Sequence, residues 1–148
     1  GVVMLMQLKR NYNQNEVCSS PEKVCDILQS ILEFEHPTDR DKEHYWVIGV
    51  TVKNTIKYID LCHLGWLDGV QVGVRETFRM AIYQGVSGII IAHNHPSGET
   101  YPSEEDLELT NRIIDAGKFL DIRVLDHIIV GGKQGYYSFR ESKQGMFI

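Results

Sequence analysis

The segment HNHPSGETYPSEED, residues 93–106, brings together side chains that can bind a metal ion. Side chains alternate between the two faces of an extended chain, so His93 and His95 point the same way, with Cα atoms roughly 7 Å apart. Two imidazoles at this spacing can share one zinc ion, and Asp106 can return from the next helix as an oxygen ligand. Three protein ligands leave a fourth position for water, whose pKa a catalytic zinc ion lowers to about 7.

The same segment also fits the start of a capped helix. Ser103 and Asp106 stand three residues apart, as in a capping box, where the first residue is the N-cap and the second bonds back to it. In this interpretation Asp106 stabilises the helix and binds nothing. The two roles are compatible, and the residues alone leave both open.

The elements around this segment are those of an α/β protein. The apolar run at residues 87–92 predicts a strand buried on both faces, and residues 104–116 have the apolar spacing of a helix. The histidines therefore follow the carboxyl end of a buried strand, where ligand sites of α/β sheets are favoured. The other predicted elements are helices at 21–35 and 75–84 and strands at 45–52, 56–61, 122–130 and 136–139.

Alternating helices and strands over 148 residues predict one layered domain. Ser20 and Pro21 are typical of a helix start, with serine as N-cap and proline at the first helical position. We therefore assign residues 1–20 to an N-terminal extension and residues 21–148 to the domain.

The composition argues against several classes of protein. The three cysteines form no C-x-x-C pair, so neither a disulfide framework nor a cysteine zinc site is expected, and a reducing, cytoplasmic location is predicted. No apolar run approaches the ~20 residues that cross a bilayer, so no membrane partner is expected. The net charge of −5 does not suit a nucleic-acid binding protein.

Residues 93–106 resemble a known motif. The pattern His93-x-His95-x7-Ser103-x2-Asp106 matches the JAMM motif of the JAB/MPN metalloprotease-like superfamily. Within that superfamily, IIIAHNHPSGETYPSEEDLELTNRI, VRETFRMAI upstream and LDHIIVGG downstream resemble the RadC branch. The likeness runs from about residue 43 to the last residue.

This resemblance implies a fold, a cofactor and a reaction. The fold is a single αβα layered domain, with a curved mixed sheet between helices and a topology like that of cytidine deaminases. One Zn²⁺ ion is held by His93, His95 and Asp106, and the superfamily's upstream glutamate falls on Glu43. Glu43 is then the general base, and Ser103 stabilises the oxyanion. The implied reaction is hydrolysis of a peptide or isopeptide bond in a peptide or protein substrate.

Other residues of the same types are assigned structural roles. Glu76 follows Arg75 on a predicted helix and is expected to pair with a cation, whereas Glu99 is expected to face water. His127 stands inside an apolar strand, where a hydrogen-bonded core histidine is more frequent than a ligand. Residues 65–73 form the candidate segment for substrate specificity.

Two hypotheses from different classes remain. The first is a zinc-dependent hydrolase. The second is a DNA-repair-associated or protein-interaction module with a non-catalytic metal, which the DNA-repair association of the RadC name implies. The complete ligand set favours the hydrolase, and the acidic charge counts against direct DNA binding. The oligomeric state is not predicted, although exposed edge strands could pair between chains.

Overall fold

A computed structural model describes residues 20–65, 72–132 and 135–147. The described residues form one mixed sheet of five strands in the spatial order β2-β1-β3-β4-β5. Its strands are β1 (His44–Val50), β2 (Ile56–Leu64), β3 (Gly88–Asn94), β4 (Arg123–Val130) and β5 (Tyr136–Ser138). The β3–β4 pair is parallel, and the other three pairs are antiparallel.

Helices cover both faces of the sheet. They are α1 (Pro21–Phe34), α2 (Pro37–Arg40), α3 (Val74–Gln84), α4 (Glu104–Leu120) and α5 (Phe139–Ser142), with a final 3₁₀ turn at Gln144–Phe147. The start of α1 is as predicted, because the Ser20 hydroxyl accepts a hydrogen bond from the Lys23 amide at 3.2 Å. None of the helices among the described residues is long and apolar enough to cross a bilayer.

The sheet separates two hydrophobic cores. On one face, α1 packs against alternate side chains of the central strands, among them Trp46 and Ile90. On the other face, α3 and α4 pack against the intervening side chains, among them Tyr45 and Ile91. Every residue of β1 and β3 is buried, because helices cover both sides of these strands. The expected αβα layered fold is confirmed.

The pairing of β1 with β3 decides where the predicted site lies. Tyr45 is the register partner of His93, so the first residues of β1 lie beside the last residues of β3. The chain stays next to β4 beyond the end of β3, because the His95 amide donates a hydrogen bond to the Val130 carbonyl at 3.0 Å. The HNH segment therefore lies between the start of β1 and the end of β4.

Several predicted bounds differ from the observed ones, and the structure explains two of the differences. The strand predicted at 136–139 ends at Ser138, because this residue caps α5 by accepting a hydrogen bond from the Glu141 amide at 3.1 Å. The helix predicted at 104–116 continues to Leu120 and ends at Asp121, which adopts a left-handed conformation. Of the predicted N-terminal extension, residues 1–19 lie outside the described residues.

Candidate metal centre

His93, His95 and Asp106 converge on one point at the carboxyl end of β3. Their nearest ligand atoms all lie within 4.8 Å of one another, as a shared metal ion requires. The two Nε2 atoms are 3.0 Å apart. Asp106 Oδ1 lies 3.1 Å from His93 Nε2, and Asp106 Oδ2 lies 3.3 Å from His95 Nε2. The structure thus brings together the three residues predicted to bind metal.

Hydrogen bonds on the far side of His93 decide which of its nitrogens carries a proton. The Thr110 hydroxyl donates to the Asp106 carbonyl at 2.7 Å, so its oxygen accepts from His127 Nδ1 at 2.5 Å. Burial lowers the pKa of His127 well below its ordinary value, and the ring is therefore neutral with an unprotonated Nε2. This Nε2 accepts from His93 Nδ1 at 2.8 Å. His93 is left with an Nε2 lone pair that points at the site.

The Nδ1 proton of His95 is fixed by a different hydrogen-bond partner, a backbone carbonyl. Its Nδ1 atom lies 2.9 Å from the Glu99 carbonyl oxygen, which can only accept a hydrogen bond. Nδ1 is therefore the donor, and in the neutral ring Nε2 carries the lone pair. The loop reaches back far enough for this contact because Gly98 turns the chain with φ of 90°. Its amide also donates to the His95 carbonyl at 2.9 Å.

Two lone pairs and a carboxylate so close together need a positive charge between them. The contact with Asp106 raises the pKa of His95, burial opposes the shift, and the negative charge of Asp106 adds to it. Burial alone would raise the pKa of Asp106, but the neighbouring imidazoles of His93 and His95 outweigh burial and hold the pKa well below its usual range. A proton meets this need in part. A divalent cation that accepts nitrogen and oxygen ligands fits the donor set fully.

Asp106 serves as a cap and as a candidate ligand at once. The Ser103 hydroxyl accepts from the Asp106 amide at 3.1 Å, and Asp106 Oδ2 accepts from the Ser103 amide at 2.9 Å, which completes a capping box. Oδ1 has no part in the cap and faces His93. The cap is confirmed, and it is compatible with a role of Asp106 as a metal ligand. The cap fixes the side-chain orientation that brings the carboxylate to the histidines.

Glu43 immediately precedes β1 and is half-buried. Its carbonyl accepts a hydrogen bond from the Gly65 amide at 3.0 Å. Strand alternation places it on the same face as Tyr45, which is also the face of His93. Besides Asp106, the negative charge of Glu43 contributes to raising the pKa of His95, so this carboxylate lies within electrostatic range of the site.

The remaining sequence candidates lie where structural roles were expected. Glu76 pairs with Arg75 at 3.5 Å. The Glu99 side chain is exposed, and only its backbone carbonyl serves the site. His127 is a buried, hydrogen-bonded histidine and is not part of the metal group found among the described residues. Of the proposed specificity segment, residues 66–71 lie outside the described part of the chain.

Three contributors to the site were not predicted from the sequence, namely Thr110, Asn94 and the hydrogen bond that His93 donates to His127. His127 belongs to the LDHIIVGG segment, whose resemblance was noted, and a polar residue in an apolar strand was the available signal. Thr110 follows Asp106 by one helical turn, which places both on the same face of α4. Nothing in the local pattern pairs Asn94 with the residues around Glu43.

A cleft of about 510 Å³ runs beside His95. Its walls come from α1, α2, the HNHP turn and the glycines Gly131 and Gly132. Leu32 and Pro96 contribute apolar surface, and the Gln29 side chain ties α1 to the opposite wall by donating to the Gly132 carbonyl at 2.6 Å. The size is that of a pocket for a small ligand or a few residues of a peptide.

Comparison with known proteins agrees with this geometry. A model of the RadC-like JAB domain matches residues 18–145. The chain is 40% identical over 133 residues to a UPF0758 protein of Caldanaerobacter subterraneus, covering 85% of this chain and 55% of the relative. A UPF0758 protein of Chloroflexus aurantiacus is 40% identical over 126 residues, covering 85% of this chain and 52% of the relative.

A third relative, the UPF0758 protein of Desulforudis audaxviator, is 42% identical over 112 residues, with 76% of this chain and 46% of the relative aligned. The chain spans about half the length of these curated relatives. The family match covers all five strands and the three residues of the candidate metal centre. The resemblance expected from the motif is confirmed, and the chain belongs to the RadC-like JAB domain family.

Proposed function

We propose that this domain is a zinc-dependent hydrolase that cleaves a peptide or isopeptide bond. The observation that carries the proposal is the convergence of two imidazole nitrogens and a carboxylate, each side chain oriented by a separate hydrogen bond. His93, His95 and Asp106 would hold the ion. Zinc with three protein ligands supplies Lewis-acid activation of water and of a carbonyl group.

Glu43 is the proton carrier in this proposal. Its carboxylate takes a proton from the attacking water as the new C–O bond forms at the substrate carbonyl. It then delivers the proton to the amine nitrogen as the C–N bond breaks, so the base is restored at the end of the reaction. Its half-buried place directly before β1 supports this role, because β1 pairs with β3 and the Glu43 charge acts on His95.

Ser103 is the candidate donor to the substrate carbonyl oxygen. Its hydroxyl oxygen accepts from the Asp106 amide, but this bond does not use the hydroxyl proton. The proton remains available for the negative charge that develops on the carbonyl oxygen. Because α4 holds Ser103 in place, the donor is oriented before substrate arrives.

The cleft beside His95 is the proposed binding site for the residues that flank the scissile bond. Leu32 and Pro96 give this cleft apolar surface, and Gly131 and Gly132 give it a stretch without side chains. A peptide chain fits such a surface, because its backbone can approach the glycines closely. The cleft is lined by His95, one of the three candidate metal ligands, so a bound peptide would pass beside the metal centre.

The test uses zinc-loaded protein and a mixture of peptides and lysine-linked isopeptides, with release of new amines as the measured quantity. We expect Glu43→Gln to lower the rate by about 10² to 10⁴-fold, the range for loss of a general base, with zinc content unchanged. Glu76→Gln is the matched control, because that carboxylate pairs with Arg75 on α3. Full activity in Glu43→Gln, or a zinc-loaded parent that cleaves no member of the mixture, would overturn the proposal.

A further inference from the structure

Asn94, the residue between the two histidines, has a side chain that reaches across to the start of β1. It is 4% exposed. Its Oδ1 accepts a hydrogen bond from the His44 amide at 2.5 Å, and its Nδ2 donates to the Lys42 carbonyl at 3.1 Å. The assignment of the two amide atoms is unambiguous, because an N–H can only donate and a carbonyl can only accept.

These two bonds replace the strand pairing that stops one residue earlier. The β1–β3 register ends with Tyr45 opposite His93. Continued by one step, the register would place His44 opposite Asn94, and by another step Glu43 opposite His95. The Asn94 carboxamide offers a donor and an acceptor like a peptide group, so it continues the pairing where the backbones separate.

The residue enclosed by the two bonds is Glu43. The Asn94 side chain bonds to the carbonyl of Lys42, which precedes Glu43, and to the amide of His44, which follows Glu43. The Gly65 amide donates a hydrogen bond to the Glu43 carbonyl from the opposite side, next to β2. The backbone that carries the Glu43 carboxylate is thus fixed on both sides.

We propose that Asn94 is the positioning residue for the Glu43 carboxylate, an inference that rests on the proposed hydrolase function. His93 and His95 then project from one face at the end of β3. Asn94, between them, projects from the other face and holds the backbone around the general base Glu43. The distance between the metal ligands and the base is set within three consecutive residues. A shift of about 1 Å in a reacting group can cost 10²-fold in rate, so such a connection has kinetic value.

The chemistry of the carboxamide explains why other side chains would not serve. Aspartate keeps an acceptor for the His44 amide but places a negative oxygen against the Lys42 carbonyl. Alanine leaves the buried His44 amide without its acceptor, and it removes one of the two donors to the Lys42 carbonyl, which also accepts from His44 Nδ1 at 2.8 Å. We therefore expect both substitutions to loosen the backbone at residues 42–44 while leaving the three metal ligands in place.

The test compares Asn94→Ala and Asn94→Asp with the parent in zinc content, in kcat and KM, and in hydrogen exchange of the His44 amide. We expect unchanged zinc content, exchange at His44 at least about 10-fold faster in Asn94→Ala, and kcat lower by about 10 to 100-fold with little change in KM. Thr51→Val is the matched structural control, because it removes hydrogen bonds at the opposite end of β1. Its kcat should equal that of the parent.

A double-mutant cycle separates positioning of Glu43 from general stabilisation. In a Glu43→Gln background, Asn94→Ala should cost little further rate, because the group that it positions is already gone. An equal loss of rate in both backgrounds, or unchanged kcat in both Asn94 variants, would overturn the role of Asn94 while the hydrolase proposal stands. If Asn94→Ala does not fold, Asn94→Asp carries the same comparison. If Glu43→Gln alone retains full activity, both proposals fail.

Discussion

The Nδ1 atom of His93 and the Nε2 atom of His127 lie 2.8 Å apart, and both side chains are fully buried. The proton between them belongs to His93. The Thr110 hydroxyl donates to the Asp106 carbonyl, so it accepts from His127 Nδ1, and the proton of the neutral His127 ring is therefore on Nδ1. A hydroxyl on α4 and a histidine on β4 thus place the His93 proton on Nδ1, away from the candidate metal centre. Groups behind a metal ligand commonly fix its tautomer and orientation in this way.

Thr110→Val tests this chain of hydrogen bonds. Valine keeps the branched shape but cannot accept from His127, so His127 is free to adopt the tautomer that no longer accepts from His93. We expect zinc affinity to fall by about 10 to 100-fold, measured by competition with a chromophoric chelator.

Thr77→Val is the matched control for this experiment. Thr77 also donates to a carbonyl four residues earlier and contacts a buried ring, that of Tyr45, but it has no bond to the candidate metal centre. We expect its zinc affinity to equal that of the parent. Equal affinities in both variants would show that the tautomer of His93 does not depend on Thr110.

Ser103→Ala separates the helix cap from the metal ligand. The variant loses the hydroxyl that accepts from the Asp106 amide but keeps the Asp106 carboxylate. We expect the free energy of unfolding of metal-free protein to fall by about 1 kcal/mol, measured by urea denaturation. Zinc content should stay near the parent value, and a large loss of zinc would mean that the cap is needed to hold the ligand.

Gly117→Ala tests the packing of α4 on the sheet. A Cβ at this position would collide with the Ile122 backbone carbonyl oxygen, and backbone cannot move aside as a flexible side chain can. We expect the free energy of unfolding to fall by about 1 to 3 kcal/mol. Gly145→Ala is the control, because among the described residues nothing beyond its neighbours in sequence lies within 4 Å of its Cβ position. Equal stability of the two variants would contradict the observed contact.

Duplex DNA binding tests the alternative that the domain acts directly in DNA repair. With a net charge of −5, the domain should show weak binding with a shallow dependence on salt concentration. Fluorescence anisotropy at several salt concentrations measures both quantities. Tight binding that weakens steeply with salt would favour the DNA-associated module over the hydrolase.

Local patterns predicted most of the elements of the fold. Ser20 and Pro21 marked the start of α1, and the apolar run before His93 marked a buried strand. The short helices α2 and α5 were missed, because four residues are too few for periodicity to detect. Phe139 was predicted to belong to the last strand, but it lies in the first turn of α5. Its ring stacks on the His127 ring there, with the ring centroids 4.6 Å apart.

The candidate site was predictable only in part. His93, His95 and Asp106 lie close together in sequence, so their spacing and the known motif were sufficient to identify them. The bond between His93 and His127 joins residues 34 positions apart, and that between Asn94 and His44 joins residues 50 apart. Both depend on which strands are neighbours and in what register. Local spacing in one sequence does not contain that information.

Metal content of the purified protein is the most direct test of the central claim, measured by inductively coupled plasma mass spectrometry beside His95→Ala and Asp106→Ala. His63→Ala is the control, because His63 lies on β2 outside the metal group. We predict about one zinc ion per chain in the parent and the control, and almost none in the two ligand variants. A parent that takes up no zinc from excess, or ligand variants that retain as much as the parent, would contradict the metal centre.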